Sequence, residues 1–496
     1  MKCKTFEEIR TAQCFVILAV LSLLMAFPGQ SPAQSVAAAG EKTFLAGAAK
    51  TVITPALGGG IIGGWGTPEA TYVHDDLHAR CLVLDDGTTR LVFIVADVLG
   101  VHQELAEAAK KMIHEKTGIP PSHVLISAIH THSATSAMGD GEKRRQYSEK
   151  VVFDDYQNLL IQRFTDVVRN AVQNLEPARI GWGAGNVPQH VFVRRWKMKP
   201  GTPMPNPFGG TDQAVMNPGV ANPNLLEPAG VPDTQVSFIS VQSVSGKPIA
   251  LLANYSLHYV GGVPAGHISA DYFAVFADRI QELLKADRQD PPFIGIMSNG
   301  TSGDVNNINF RGPAEKRKPY EKMRIVAEDV AREVFRVHHT IQHHDWVPLR
   351  AAREELILRV RKPDAALLAQ AERSLQKKDN EPLVHRHEKV YAERVLALKD
   401  WPDEIPVILQ TFGIGDLGIA AIPFETFAET GLEIKAKSPF KSTFTIELAN
   451  GYHGYLPTPP QHDMGGYETW LGTNKVEKEA SVKIVNKLLE MFRTID

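Results

Sequence analysis

The stretch Val124-Leu-Ile-Ser-Ala-Ile-His-Thr-His-Ser133 decides the fold, because a run of strand-forming residues ends on two histidines separated by one residue. The run predicts a buried strand from Val124 to Ile129. His130 and His132 follow at its carboxyl end. Alternate residues of a strand share a face, so either both imidazoles bind a metal ion, or one binds and the other supports it. A chain with 18 histidines can also contain such a pair by chance.

The residues before this stretch predict a strand followed by a helix. Leu91–Ala96 is apolar, and Glu104–Thr117 has helical periodicity and is followed by Gly118. A helix between two apolar strands at this spacing indicates a parallel, buried pair. Further strands are predicted at Val236–Val241, Ile249–Asn254, Phe293–Met297, Val407–Phe412, Ile419–Ile422 and Thr443–Leu448. We therefore expect an α/β fold with a large mixed, largely parallel sheet and flanking helices, in a single domain with insertions over residues 45–490.

Two segments interrupt the strand pattern. Residues 197–232 are rich in proline, glycine and asparagine, and we expect a long loop that forms a wall or lid over a site. Residues 363–399 are charged and helical. Their pattern favours a helical insertion, a hairpin on the surface, over a binding element.

Size and charge exclude one class of function. A chain of 496 residues with 43% hydrophobic and 22% charged residues is typical of a globular protein with a large core. The net charge is only -3 and there is no long basic run, so nucleic-acid binding has no electrostatic support. No obligate protein partner is indicated.

The first residues predict a secretory signal peptide over residues 1–33. Basic residues precede an apolar run from Cys14 to Phe27, and small residues follow it. Cleavage removes Cys3 and Cys14 and leaves Cys81 without a disulfide partner. We expect a secreted or periplasmic protein, and whether it touches a membrane surface peripherally stays open.

Three more apolar strands end, like the first, in residues capable of chemistry. They are Asn254-Tyr-Ser-Leu-His258, Met297-Ser-Asn-Gly-Thr-Ser-Gly-Asp304 and Ala421-Ile-Pro-Phe-Glu425. The carboxyl ends of strands form the ligand crevice of open α/β sheets. Histidines from two strands and a carboxylate from a third suit catalytic zinc, which leaves a position open for water. Alone, His258 is more often a core histidine and Glu425 a residue at a helix start. Asp97 and Asp304 are candidates to orient a metal-bound imidazole.

Several separate motifs, taken together, resemble the neutral ceramidase family from about Ala46 to Glu468. The matching motifs are Ile129-His-Thr-His-Ser133, Phe192-Val-Arg-Arg195, Asn254-Tyr-Ser-Leu-His258, Ser269-Ala-Asp271, Gly303-Asp-Val-Asn-Asn307, Pro423-Phe-Glu425 and Asn450-Gly-Tyr-His-Gly-Tyr455. Their number and order make the resemblance fairly specific. It implies that residues 45–490 are a catalytic domain.

The resemblance also implies a zinc site. By position, the ion is held by His130, His258, Glu425 and Tyr455. Two neutral imidazoles, one carboxylate and one phenolic oxygen give zinc a mixed nitrogen and oxygen shell.

Four catalytic positions follow from the same resemblance. His132 lies beside the metal as a hydrogen-bonding or proton-handling group, Arg194 lies near the reacting group, and Tyr467 contacts the polar head of the substrate. The family reads Gly-Asp-x-Ser-Pro-Asn where this chain has Gly303-Asp-Val-Asn-Asn-Ile308, so Asn306 replaces the active-site serine. Its side-chain amide could donate a hydrogen bond in that place.

The C-terminal end is a further departure from the family. The chain stops at Asp496. We therefore expect the small β-sandwich domain that follows the catalytic domain in full-length ceramidases to be absent.

The predicted function is hydrolysis of an amide bond in a ceramide-type lipid by water that zinc activates. The expected partner is a small amphipathic lipid or acyl-amide substrate. Asn306 keeps two alternatives open: a hydrolase of another acyl amide or ester, and a secreted binding protein without catalysis. A zinc aminopeptidase is the weakest interpretation, because the HExxH motif is absent.

Overall fold

The predicted apolar strands form a mixed sheet in the computed structural model, which describes residues 42–139 and 151–496. Within these ranges, eight strands make up the central sheet. From one edge to the other they are Ile294–Asn299, Pro248–Tyr255, Gln235–Ser243, Glu176–Asn186, Leu45–Val52, His78–Asp85, Arg90–Ala96 and Val124–Ala128. The α/β class and the large mixed sheet are therefore confirmed.

The direction of the strands differs from the prediction of a largely parallel sheet. Val124–Ala128 pairs in parallel with Arg90–Ala96, as the intervening helix predicts, and Ile294–Asn299 pairs in parallel with Pro248–Tyr255. The other five neighbouring pairs of the described sheet are antiparallel. Tight turns at Gly87 and similar positions join strands into hairpins, which only antiparallel strands allow.

A second sheet explains why the antiparallel strands look parallel in the sequence. Its four strands among the described residues are, in spatial order, Leu349–Arg359, Glu404–Ile414, Leu417–Ile422 and Ser442–Glu447. It packs on one face of the central sheet, and helices pack on the other. Strands covered on both faces are apolar throughout, as parallel strands are.

Helices cover the outer faces of both sheets. Asp155–Gln173, Asp271–Leu283 and Glu321–His338 pack on the central sheet, and Gln103–Thr117 packs on the first of them. Ala428–Lys437 and Ala480–Ile495 pack on the second sheet. Alternation along Leu417–Ile422 separates two cores, because Ile419 and Ala421 face the central sheet while Ala420 and Ile422 face the helices.

The two predicted insertions have more structure than a loop and a free hairpin. In place of a loop over residues 197–232, the strands Arg195–Met198, Ala214–Met216 and Leu225–Pro228 form a small sheet. These strands are too short for a period of two to show in the sequence. Residues 363–399 contain the helices Ala365–Gln376 and Glu388–Lys399.

The remaining described elements are short. They include the helix Pro459–Met464 and the strand pairs Ile61–Ile62 with Ala134–Thr135, Tyr72–Val73 with His267–Ile268, Phe192–Val193 with Val305–Asn306, and Glu425–Thr426 with Tyr455–Leu456. No helix in the described ranges is both long enough and apolar enough to cross a membrane. The predicted signal peptide lies outside the described residues.

Candidate functional site

His130 is held rigidly just beyond the strand Val124–Ala128. Its backbone has φ 67°, a left-handed conformation that residues other than glycine adopt rarely and that recurs at functional sites. Its ring Nδ1 lies 2.8 Å from the carbonyl oxygen of Leu99. Because a carbonyl oxygen can only accept, Nδ1 carries a proton, which leaves Nε2 to offer its lone pair to the site.

His258 is oriented in the same way from a different strand. It follows Pro248–Tyr255, and its Nδ1 lies 3.2 Å from both the carbonyl oxygen and the hydroxyl of Ser302. That hydroxyl donates its own proton to Glu447 at 2.6 Å. Both atoms of Ser302 therefore accept from Nδ1, and the lone pair of Nε2 again faces the site.

Glu425 and Tyr455 meet through a short parallel strand pair. Glu425–Thr426 pairs with Tyr455–Leu456, and this register places Glu425 opposite Tyr455. Oε1 of Glu425 accepts a 2.7 Å hydrogen bond from Tyr452. Burial raises the pKa of Glu425, but His130 and hydrogen bonds from Tyr455 and Tyr452 outweigh it and hold the pKa below its usual value. The carboxylate is thus kept charged inside the protein.

Three polar atoms, from Glu425, His130 and His258, converge on one point. Oε2 of Glu425 lies 3.2 Å from Nε2 of His130 and 3.9 Å from Nε2 of His258. This oxygen is buried and has no hydrogen-bond partner among the described residues. Lone pairs on a carboxylate and two imidazoles repel one another unless a proton or a cation lies between them. Imidazole nitrogen with carboxylate oxygen is a donor set that zinc takes, so these residues fit the ion.

His132 belongs to the same cluster. Its Nε2 lies 3.2 Å from Nε2 of His130, and the ligand atoms of His130, His132 and His258 lie within 4.8 Å of one another. The ring stacks on Tyr259 with centroids 3.8 Å apart. Burial, His130 and Arg194 lower the pKa of His132 well below its usual value. Both roles that the sequence left open, ligand and neighbour, fit this position.

Arg194 lies close to the cluster, and an ion pair with Glu468 fixes its guanidinium group. Its Nε donates to Glu468 at 2.9 Å, and Arg195 donates to the other oxygen of Glu468 at 2.6 Å. The guanidinium carbon lies 5.3 Å from the centre of the Tyr455 ring. Nη2 of Arg194 is buried and makes no hydrogen bond with the described residues. A buried, unused donor on a fixed cation is suited to hold an oxygen that gains negative charge.

A cavity of about 340 Å³ opens onto this cluster. Its walls include His130, His132, Glu425, Tyr455 and Tyr467. The ring of Tyr467 meets that of Tyr455 edge to face at 5.7 Å. Burial raises the pKa of Tyr467 to about 12, so the phenol stays protonated and can donate a hydrogen bond. Seven of the eight predicted site residues therefore lie in or against this region.

Asn306 is the predicted residue that the structure does not bring to the cavity. Its Nδ2 donates to Asn217 at 2.9 Å, and its Oδ1 accepts from the backbone of Ile308 at 2.9 Å. It is not among the residues that line the cavity. The expectation that its amide serves the substrate is not met by this arrangement, because both polar ends of the side chain are already used.

The fold can be compared with known proteins. No protein-family model matches the sequence. A crystal structure of neutral ceramidase from Pseudomonas aeruginosa superposes with a TM-score of 0.63 at 14% identity, over 91% of this chain and 74% of that chain. A structure described as ceramidase complexed with C2 gives 0.66 at 14% identity, over 91% and 75%. The chain has the fold of the neutral ceramidases. The resemblance in the sequence is thereby confirmed at the level of the fold.

Two residues expected to orient a metal-bound imidazole have other partners in the structure. Asp97 forms a buried ion pair with Arg80, and Asp304 accepts a 2.8 Å hydrogen bond from the backbone of Ala428. The groups that orient the imidazoles are instead the Leu99 carbonyl and Ser302. A backbone carbonyl has no signature in a sequence, so the pattern of residue types could not identify it.

The cavity also has walls that the sequence did not predict. Arg394, from the helix Glu388–Lys399, lines it, although the charges of that segment had suggested a surface hairpin. A second cavity of about 300 Å³ adjoins the first, since both include Trp65 and Tyr467. Methionines from the segment 197–232 line this second cavity. That segment therefore forms a wall, in keeping with the role proposed for it.

Proposed function

We propose that the chain is a zinc-dependent hydrolase that cleaves the amide bond of a lipid-like, ceramide-type substrate. The observation that carries the proposal is the meeting of Glu425 Oε2 with the lone pairs of His130 and His258 at the cavity wall. With Tyr455, these residues would hold the ion. Bound zinc supplies Lewis acidity and lowers the pKa of water from 15.7 to roughly 7.

The side chains around the cluster supply the proton transfers of amide hydrolysis. A water oxygen forms a bond to the acyl carbon, the bond between carbon and nitrogen breaks, and the water protons end on the amine and in solution. His132 is neutral near pH 7, because its pKa lies well below the usual value. Its Nε2 can therefore accept a proton from water and pass it to the leaving nitrogen.

Arg194 is the proposed support for the oxygen of the scissile carbonyl. Negative charge develops on that oxygen as water attacks, and a fixed donor stabilises it. Nη2 of Arg194 is free for this task, and Glu468 holds the guanidinium in place. Tyr467, with its phenol protonated, is proposed to contact the polar head of the substrate.

The reaction proposed here does not use a serine. Asn306 is engaged outside the cavity, and the hydroxyl of Ser302 is committed to Glu447. This arrangement favours attack by water. It also favours a second candidate function, hydrolysis of an acyl amide or ester whose head group differs from that of ceramide, because Asn306 stands at the position of the family serine and its side chain is bonded to Asn217 and Ile308.

The place of action is proposed from the sequence. The predicted signal peptide supports a secreted or periplasmic enzyme, and the catalytic domain is proposed to span residues 45–490. The methionine-lined second cavity supports a small amphipathic substrate with an apolar tail.

The test is chelator-sensitive turnover by the purified full chain. A fluorescent short-chain ceramide and a panel of acyl amides and esters are incubated with protein as purified, after chelation, and after zinc is added back. We expect at least one amide to be cleaved, the activity to vanish on chelation and zinc to restore it. A His190→Ala variant, changed at a histidine bound to Asp329 instead, should behave as wild type. Absence of chelator-sensitive turnover on every substrate contradicts the proposal.

A further inference from the structure

Two cationic side chains line the cavity that contains the proposed metal ligands. Arg394 comes from the helix Glu388–Lys399, and Lys475 follows the segment that contains Tyr467. Among the described residues that line this cavity, the one carboxylate is Glu425, whose two oxygens face Tyr452 and the histidine cluster. The described part of the cavity wall thus carries more positive than negative charge.

Neither cation has a carboxylate partner among the described residues. Arg394 donates a hydrogen bond to the hydroxyl of Thr473 at 3.2 Å, and its guanidinium lies over the ring of Tyr391 at 4.9 Å. Nζ of Lys475 lies 5.1 Å from the centre of the Trp401 ring. Contacts with aromatic faces hold a cation in place without neutralising it.

Two nearby arginines, unlike Arg394 and Lys475, do have a carboxylate partner. Arg194 and Arg195 share the carboxylate of Glu468, which balances them inside the protein. Arg394 and Lys475 instead repel each other, because both are positively charged. Burial and the charge of Arg394 lower the pKa of Lys475 to about 8. Partly buried cations without a counterion carry a free-energy cost that a bound anion offsets.

We infer that Arg394 and Lys475 form a subsite for an anionic group on the substrate, a carboxylate or a phosphate. A planar guanidinium matches the two oxygens of such groups, and an ammonium adds a point charge. This inference rests on the proposed hydrolase function and selects its second candidate, an acyl amide whose head group differs from that of ceramide. Ceramide carries no charge, so the preferred substrate is an acyl amide with an anionic head group.

Binding to metal-free protein tests the subsite apart from turnover. The dissociation constants of N-lauroylglycine and of its neutral match N-lauroylglycinamide are measured by calorimetry on the full chain. Hydrogen bonds to charged groups contribute about 1.5 to 3 kcal/mol, so we expect the carboxylate to bind about 10 to 100 times more tightly. In Arg394→Met and in Lys475→Met this preference should fall to about threefold or less. Equal binding of the two compounds to the wild type overturns the inference.

Matched variants control for the loss of charge. Arg373 and Lys399 are exposed residues of the same helical pair, and Arg373→Met and Lys399→Met remove the same charge outside the cavity. These variants should keep the preference for N-lauroylglycine. If they lose it as Arg394→Met does, the effect is one of net charge and the subsite is wrong. Lys475→Met keeps the test valid should Arg394→Met fail to fold.

A second pair of compounds identifies the anion. The dissociation constants of N-lauroylethanolamine phosphate and of neutral N-lauroylethanolamine are compared in the same way. The pair with the larger ratio of neutral to charged dissociation constants shows whether the subsite prefers phosphate or carboxylate. Turnover by zinc-loaded protein then separates the two proposals. Equal kcat/KM for charged and neutral amides, with equal binding, rejects the subsite and leaves the hydrolase. Anion-dependent binding without cleavage of any amide supports the subsite and rejects the hydrolase.

Discussion

Ser302 donates a 2.6 Å hydrogen bond to Glu447 and thereby connects a buried carboxyl group to the ring of His258. The other oxygen of Glu447 accepts from the backbone of Thr426, next to Glu425 in the chain. One carboxyl group therefore braces two of the proposed zinc ligands, which come from segments far apart in the sequence. Such outer contacts fix the tautomer and orientation of a ligand.

Ser302→Ala is expected to weaken zinc binding by about 10-fold, near the lower end of the effects known for such partners. The loss is partial because the carbonyl oxygen of Ser302 still accepts from Nδ1 of His258. Competition with a fluorescent chelator measures the change. Ser481→Ala, which removes a buried hydroxyl without a partner from the C-terminal helix, serves as the control. Equal affinities of both variants would show that the serine does not act on the site.

Gly63→Ala should displace His132 and lower activity at least about 10-fold, the loss that a misplaced catalytic group causes. A Cβ atom at Gly63 would lie 2.6 Å from Cγ of the His132 ring, and the backbone there has φ 115°. Gly87→Ala is the matched control, because φ is 90° and nothing lies within 4 Å of its Cβ. Both changes cost about 1 kcal/mol or more of stability through backbone strain. Equal activities of the two variants would contradict a catalytic position for His132.

Arg194→Met should lower kcat by about 100-fold or more, as loss of an oxyanion donor does, and leave zinc content unchanged. Glu468 keeps its ion pair with Arg195, so the change does not strand a buried charge. Steady-state kinetics and metal analysis are run on the same preparation. Loss of zinc alongside activity would assign Arg194 to the support of the metal site instead.

The free energy of unfolding of Asp304→Asn, relative to that of the wild type, should increase as the pH rises. Burial raises the pKa of Asp304 from 3.8 to about 7. Between these values the folded state holds a proton that the unfolded state has lost, so wild-type stability falls with pH. The variant lacks this penalty and gains about 1.4 kcal/mol per pH unit relative to the wild type, up to about pH 7. Urea unfolding at several pH values measures the slope.

Asp86→Asn is the control, because the pKa of Asp86 is lowered and not raised. Burial raises the pKa of Asp86, but hydrogen bonds from Leu349 and Thr88 outweigh it and lower the pKa. Asp86 is therefore ionised in both states above about pH 5, and the effect of its substitution should not change between pH 5 and 8. If the difference in free energy of unfolding between Asp304→Asn and the wild type also stays constant with pH, the carboxyl group of Asp304 is not protonated in the folded state.

The sequence predicted which residues meet at the candidate site better than it predicted the strand directions. His130, His258 and Glu425 each follow an apolar strand, and strand ends leave a clear mark in a sequence. The direction of a strand does not, because a strand covered on both faces is apolar whether its neighbour is parallel or antiparallel. The sequence could not predict that Arg394 lines the cavity, because the residue pattern of a charged helix is the same whether one arginine faces water or a cavity.

Zinc stoichiometry shows whether His130 and His258 hold a metal ion. The full chain, His130→Ala, His258→Ala and the control His190→Ala are purified alike, and their metal content is measured by mass spectrometry. We expect one zinc ion per chain in the wild type and the control, and loss of most of it in His130→Ala and His258→Ala. Zinc content that is unchanged by His130→Ala and His258→Ala would mean that these histidines do not hold the ion.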